Sequence, residues 1–382
     1  MRTIIICCIF LVLSSLAEAQ SPKNSGEPAL PDPENVRLIL PPFWYAVADL
    51  PMSIYYDNII LAEDPAQYTF TMNAPVASKS EARCWTIMPS EKDAGEHVVT
   101  VTVADAQGKE RAHASMTLRI APKNAGSGRN MRLLMIGDSL TMASVYPNEV
   151  FTRMTPPDNP ALTMLGTHRP PSVLPGVAHE GYGGWAWNTF LTKYEPNPDG
   201  TYKKRSSPFI FHADGAPMLD IPRYIAESCG GIPPDVVTIH LGVNDCFGVS
   251  TNADDTAAVD ARIDVVFADA EKFITAFRAA AQNARFGIGI TTPPNAREEG
   301  FAASYKGAYH RWGWKRVQHR LIEREIRQFS GREQEGLHLI PVQLCIDPIG
   351  GYPTDNGVHP NTDGYRSMGR TFYAWLKWQV KR

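Results

Sequence analysis

Four short blocks place reactive side chains where apolar runs stop. In "LLMIGDSLTMASVY", residues 133–146, the run Leu133–Ile136 ends at Gly137-Asp138-Ser139 and helix-compatible sequence follows. "HEGYGGW" (179–185) sets glycines in a loop behind an apolar strand. "LGVND" (241–245) puts Asn244 just past a second strand, and "DNGVHPNTDGY" (355–365) puts His359 in a loop ahead of the last helix. A hydroxyl nucleophile, a base that takes and returns its proton, and N–H donors that hold an oxyanion are what acyl transfer requires. Taken singly each has a plainer reading: Ser139 as a helix cap, Asn244 as a strand-end cap, Gly184 as a turn residue and His359 as a loop histidine. Their joint presence, in order, favours the chemistry. Asp138 is read as support for its loop, and His179 and His240 as structural or substrate-facing.

The elements that must hold these residues follow a strand–helix rhythm from residue 131. Apolar runs occur at 132–137, 235–242, 285–291 and 337–344. Between the second and third, residues 256–283 carry Val259, Ile263, Val266, Phe267, Ala270, Ile274 and Phe277 on one helical stripe. Residues 315–329 and 363–380 also read as helices. Alternating strands and helices imply a parallel sheet covered on both faces, with the site beyond the strands' carboxyl ends. Ahead of this, residues 35–122 have a period of two. Val99, Val101 and Val103 share a face, as do Met116, Leu118 and Ile120, and "IYYDNIIL" (54–61) and "YTFTM" (68–72) read as further strands. A small β-sandwich is the expectation for 35–122, with 123–130 as a linker and 131–382 as the catalytic domain.

The order Ser139, Gly184, Asn244, His359 resembles the SGNH hydrolases, also called the GDSL esterase family. The resemblance rests on the four blocks and covers roughly residues 131–382. It implies a flavodoxin-like three-layer α/β sandwich. It implies Ser139 as nucleophile and His359 as general base, with the amide of Asn244 and the N–H groups of Ser139 and Gly184 as the oxyanion hole. One block departs from the family pattern: three residues before His359, where Asp-x-x-His is usual, stands Asn356, and Asp355 is one position further back. Asp355 is the expected third member because a carboxylate stabilises an imidazolium. Asn356 or a backbone carbonyl orienting the ring is the alternative.

Composition narrows the partners. The 382 residues are 43% apolar and 20% charged, with a formal net charge of −3. That is a globular balance with no electrostatic case for nucleic acid. Arg2, the run "IIICCIFLVL" and Ala17-Glu18-Ala19 read as a signal peptide over residues 1–19, cleaved near Ala19, which implies a secreted or periplasmic protein. The apolar run is too short to span a bilayer, so no membrane insertion is expected. Residues 20–34 read as a tether. Cys84, Cys229, Cys246 and Cys345 remain after cleavage; Cys229 with Cys246 is one reading, free buried thiols the other. Histidine and cysteine spacing suggests no metal site, and no cofactor is expected.

Aromatics crowd the blocks. Trp185, Trp187, Tyr309 and Trp312 are candidates for contact with flat sugar faces. "EGYGGW" also looks like the corresponding block in bacterial carbohydrate esterases of this family. The expected activity is therefore removal of O-acetyl groups from a polysaccharide or oligosaccharide. A lipase or thioesterase acting on longer acyl chains, or an inactive carbohydrate-binding relative, is the alternative.

Overall fold

The computed structural model describes residues 36–195, 206–213, 215–251 and 255–381. The expected signal peptide and tether lie outside the described residues. The chain is mixed α/β with a β-rich N-terminal region. That region holds β1 (Phe43–Val47), β2 (Met52–Tyr55), β3 (Thr69–Asn73), β4 (Ser78–Ser80), β5 (Cys84–Ile87), β6 (Gly95–Ala104) and β7 (Glu110–Ala121). They form two sheets, β1-β7-β6-β3 and β2-β5-β4. The alternation of Val99, Val101 and Val103 puts all three in one apolar cluster with Trp44, Ile54, Trp85 and Leu118.

Beyond it, β8 (Asn130–Gly137) leads into the short α1 (Ser139–Met142) and then α2 (Val145–Met154). β9 (Ala161–Leu165) and β10 (Glu180–Gly181) both pair with β8. α3 (Trp187–Thr192), the antiparallel pair β11 (Ile210–Ala213) and β12 (Ala216–Leu219), and α4 (Ile221–Ser228) precede β13 (Val236–His240). Then come α5 (Thr256–Ala280), β14 (Arg285–Gly289), α6 (Glu298–Tyr305), α7 (Arg311–Phe329), β15 (Leu337–Ile340) and α8 (Thr362–Gln379). The main sheet is parallel, in the order β10-β8-β13-β14-β15 with β9 on the same edge as β10.

Both faces of that sheet are covered, and the side-chain alternation of β8 shows it. Leu133 and Met135 point into a cluster with α2 and α8, while Leu134 and Ile136 point into one with α3, α4, α5 and α7. The first cluster does not stop at the sheet. It continues into Trp44, Tyr45, Ile54 and Trp85, so the N-terminal region and the sheet share one core. Segment 123–130 is docked as well: the buried Lys377 ammonium of α8 donates to Ala125 O at 2.7 Å and Asp158 O at 3.0 Å. Cys84, Cys229, Cys246 and Cys345 are four buried free thiols, so the Cys229–Cys246 pairing is not formed. Among the described residues no helix is long and apolar enough to cross a membrane.

Candidate active site

β8 ends at Gly137, a position where nothing larger fits. A Cβ on Gly137 would lie 1.9 Å from Thr141 Oγ1 and 2.9 Å from His240 O of the neighbouring strand. The chain then turns at Asp138, whose Oδ1 accepts the Leu140 N–H at 2.9 Å and caps α1. Ser139 is thereby the first residue of α1, and its N–H has no intrahelical acceptor.

His359 Nε2 stands 2.8 Å from Ser139 Oγ. The other ring nitrogen, Nδ1, is 3.2 Å from Asn356 Oδ1. That same oxygen accepts the backbone N–H groups of Val358 at 3.1 Å and His359 at 2.8 Å. Two backbone donors require the amide oxygen, not its NH2, to face the ring. Nδ1 must then carry the proton, which leaves the lone pair of Nε2 facing the serine hydroxyl. The sequence expectation of Asp355 as ring partner is corrected here. Asp355 is exposed, and it is its carbonyl that is engaged, by Ser304 Oγ at 3.0 Å. The tight 355–359 turn brings in the side chain three residues back, not four. Burial holds the His359 imidazole below its ordinary value.

The glycine loop is set by strand register. Glu180 and Gly181 pair with Ile136 and Gly137, and the Tyr182 N–H donates to Gly137 O at 3.0 Å. Gly184 follows with φ +77°, a conformation that costs glycine nothing. Its N–H has no acceptor among the described residues. The loop is anchored by the buried Glu180 carboxylate, which accepts from Thr167 N (2.6 Å), Thr167 Oγ1 (3.0 Å), Tyr182 OH (2.6 Å) and Tyr224 OH (2.7 Å). Tyr182 in turn stacks on His168 and Trp185.

Asn244 follows β13. Its Nδ2 donates to Trp185 O at 3.1 Å and to Asp138 Oδ2 at 3.2 Å, so both amide hydrogens are engaged. Burial pushes the Asp138 carboxyl up to about 7, and the nearby Asp245 charge adds to the rise. Asp138 thus ties the serine turn to the asparagine loop. His240 is buried against Gly289 O, and His179 bonds to Ser144 Oγ and the Gly181 N–H, so both are structural.

The aromatic expectations divide. Trp185 and Trp187 are only 6% and 3% exposed and pack on Phe190 and Phe273, leaving no ring face for a sugar. The structure corrects both. Tyr309 is half-buried and its hydroxyl accepts the Gly248 N–H at 2.7 Å; Trp312 is half-buried on α7. Phe247, which the sequence did not single out, forms a wall with Tyr305 and Tyr309, ring centroids 5.3–5.6 Å apart. It connects the loop after Asn244 with α6, whose Phe301 packs against Gly357 beside His359. Phe247 carried no motif signal; only the fold brings it here.

Comparison with known proteins agrees with the motifs. Residues 213–367 match the GDSL-like lipase/acylhydrolase family, a stretch that contains Asn244 and His359. Over that stretch the chain is similar to that family. Among solved structures it is similar to a carbohydrate esterase family 3 protein from Talaromyces cellulolyticus, at 15% identity and a TM-score of 0.38, over 66% of this chain and 98% of that one. It is also similar to an acetyl esterase mutant crystallised with acetate ion, at 16% identity and a TM-score of 0.38, again over 66% and 98%. No curated protein matches it in sequence.

Proposed function

We propose that the protein is an exported serine esterase that removes O-acetyl groups from a polysaccharide. The observation that carries the reading is His359 Nε2 at 2.8 Å from Ser139 Oγ, with Asn356 holding the tautomer in which Nε2 accepts. Ser139 Oγ attacks the ester carbon as its proton passes to Nε2. The oxyanion meets the N–H groups of Ser139 and Gly184 and an amide hydrogen of Asn244, released from its 3.2 Å bond to Asp138. The sugar hydroxyl leaves with the proton from Nε2. Water then attacks the acetyl-serine with the same base, releasing acetate. The parallel sheet order supports a flavodoxin-like three-layer arrangement for residues 131–382, and the two N-terminal sheets support a small sandwich over 35–122.

The resemblance of Glu180–Trp185 to the block in carbohydrate esterases supports a glycan ester. The test is acetate release from a panel of acetylated plant and bacterial glycans, set against p-nitrophenyl esters of rising chain length. Acetate release with rates falling beyond short acyl chains is expected. Rates that climb to octanoyl esters would assign the site to a lipase or thioesterase.

A further inference from the structure

The loop that carries Asn356 and His359 runs from Leu344 to Asn361. Its middle is held from within the sheet half. Asn295 donates Nδ2 to Pro353 O and Asn356 O, both at 2.9 Å, and Arg297 Nη1 reaches Ile349 O at 2.8 Å. Its root is held from the other end of the chain. Buried Asn58 donates Nδ2 to Ile346 O at 2.8 Å and to Leu344 O at 3.4 Å. Arg83 of the N-terminal region makes a two-pronged pair with Asp347, at 2.6 and 2.9 Å.

Asp347 passes this hold along the loop. Its Oδ1 accepts the Ile349 N–H at 2.9 Å and its carbonyl accepts the Gly351 N–H at 2.9 Å. Gly351 O accepts the Asn361 N–H at 2.9 Å, two residues past His359. Burial raises the Asp347 carboxyl, but the Arg83 pair and the Ile349 N–H outweigh it and hold the group below its ordinary value. The N-terminal region is itself fixed against α7: Lys315 pairs with Asp57, Arg311 donates to Glu63 O, and Arg37 pairs with Glu323 at 2.5 Å.

We propose that Arg83 and Asn58 are positioning residues for the active site: by fixing Asp347 and the backbone at 344–346, the N-terminal β-rich region keeps His359 in register with Ser139. The inference rests on the esterase reading for its kinetic consequence. It separates this region from a glycan-binding appendage, because the consequence reaches a small ester that has no glycan to bind. Arg83 suits a test, since its side chain is 50% exposed and its replacement opens no core.

The experiment uses the full chain. kcat and KM for p-nitrophenyl acetate are measured for the parent protein, Arg83→Gln, Arg83→Lys, Asp347→Asn and the Arg83→Gln/Asp347→Asn double variant. Hydrogen–deuterium exchange is followed over peptides covering 344–361. Small displacements of a reacting group cost up to about a hundredfold, so Arg83→Gln should lose roughly tenfold in kcat with KM within about twofold. Arg83→Lys should recover part of that loss. The double variant should be no worse than the poorer single one, as for residues acting through one contact. Exchange should quicken at 344–361 and stay unchanged elsewhere. A kcat for Arg83→Gln within twofold of the parent, additive losses, or an exchange increase spread over the whole chain would overturn the proposal. If the parent protein hydrolyses no acetyl ester, the esterase reading fails. The exchange data then decide alone: faster exchange confined to 344–361 supports the hold by Arg83, and unchanged exchange removes it.

Discussion

Asn356 stands where a carboxylate would ordinarily orient the base, and its amide oxygen takes three N–H groups at once. An amide fixes the ring and its tautomer but supplies no full negative charge to the imidazolium. Asn356→Ala should therefore lower kcat on an acetyl ester by about ten- to a hundredfold, while Asp355→Ala stays within about twofold. A loss confined to Asp355→Ala, with folding checked by circular dichroism, would reverse that assignment. The absent charge also sets a pH dependence. Burial alone lowers the His359 value, so the base-competent neutral form persists into more acid solution than usual. The acid limb of kcat/KM should lie below the ordinary histidine value of about 6.5, and Asn356→Asp should move it upward. A parent limb above that value, or no movement in the variant, would contradict this. Ser139, Asn244 and His359 stand out in the sequence because each lies in a block with its own local signature. The ring's partner could not, since two adjacent residues differ only in which way a turn points them.

Among the elements, the long and strongly periodic ones were the most legible. The stripe over 256–283 is α5, Thr256–Ala280, and 363–380 is α8, Thr362–Gln379. "IYYDNIIL" yields only a strand to Tyr55, because Tyr56–Asn58 turn so that Asn58 can reach the carbonyls of Leu344 and Ile346. The edge strand β9 was not legible, and the apolar strand expected ahead of the 179–185 loop is only the short β10. β10 is two residues long, and its position comes from pairing with β8 and from the buried Glu180 rather than from any pattern of its own. Glu180→Ala would leave Thr167 N, Tyr182 OH and Tyr224 OH without their acceptor. Each unsatisfied buried donor costs about 1–3 kcal/mol, so the variant should unfold several degrees lower by scanning calorimetry. An unchanged Tm would show that Glu180 does not anchor the glycine loop.

For the whole molecule, the sequence suggests a small β-sandwich over 35–122 and a catalytic domain over 131–382, joined by a linker at 123–130. Composition shifts at 121–130 suggest that boundary. What they cannot show is that Trp44, Tyr45 and Trp85 lie in one core with Leu133, Met135 and Phe372, or that Arg83 meets Asp347 across 264 positions. Such contacts pair residues with no local signature. Residues 131–382 expressed alone would expose that shared face. The fragment should be insoluble or should lose most of its turnover on p-nitrophenyl acetate; a soluble fragment with full turnover would restore the independent domain. The central claim, that Ser139 and His359 carry acyl transfer, is tested most directly by the steady-state rate of the full chain against Ser139→Ala on p-nitrophenyl acetate. A fall of about a thousandfold or more with an unchanged circular dichroism spectrum is predicted, and retention of more than about a tenth of the parent rate would contradict the account.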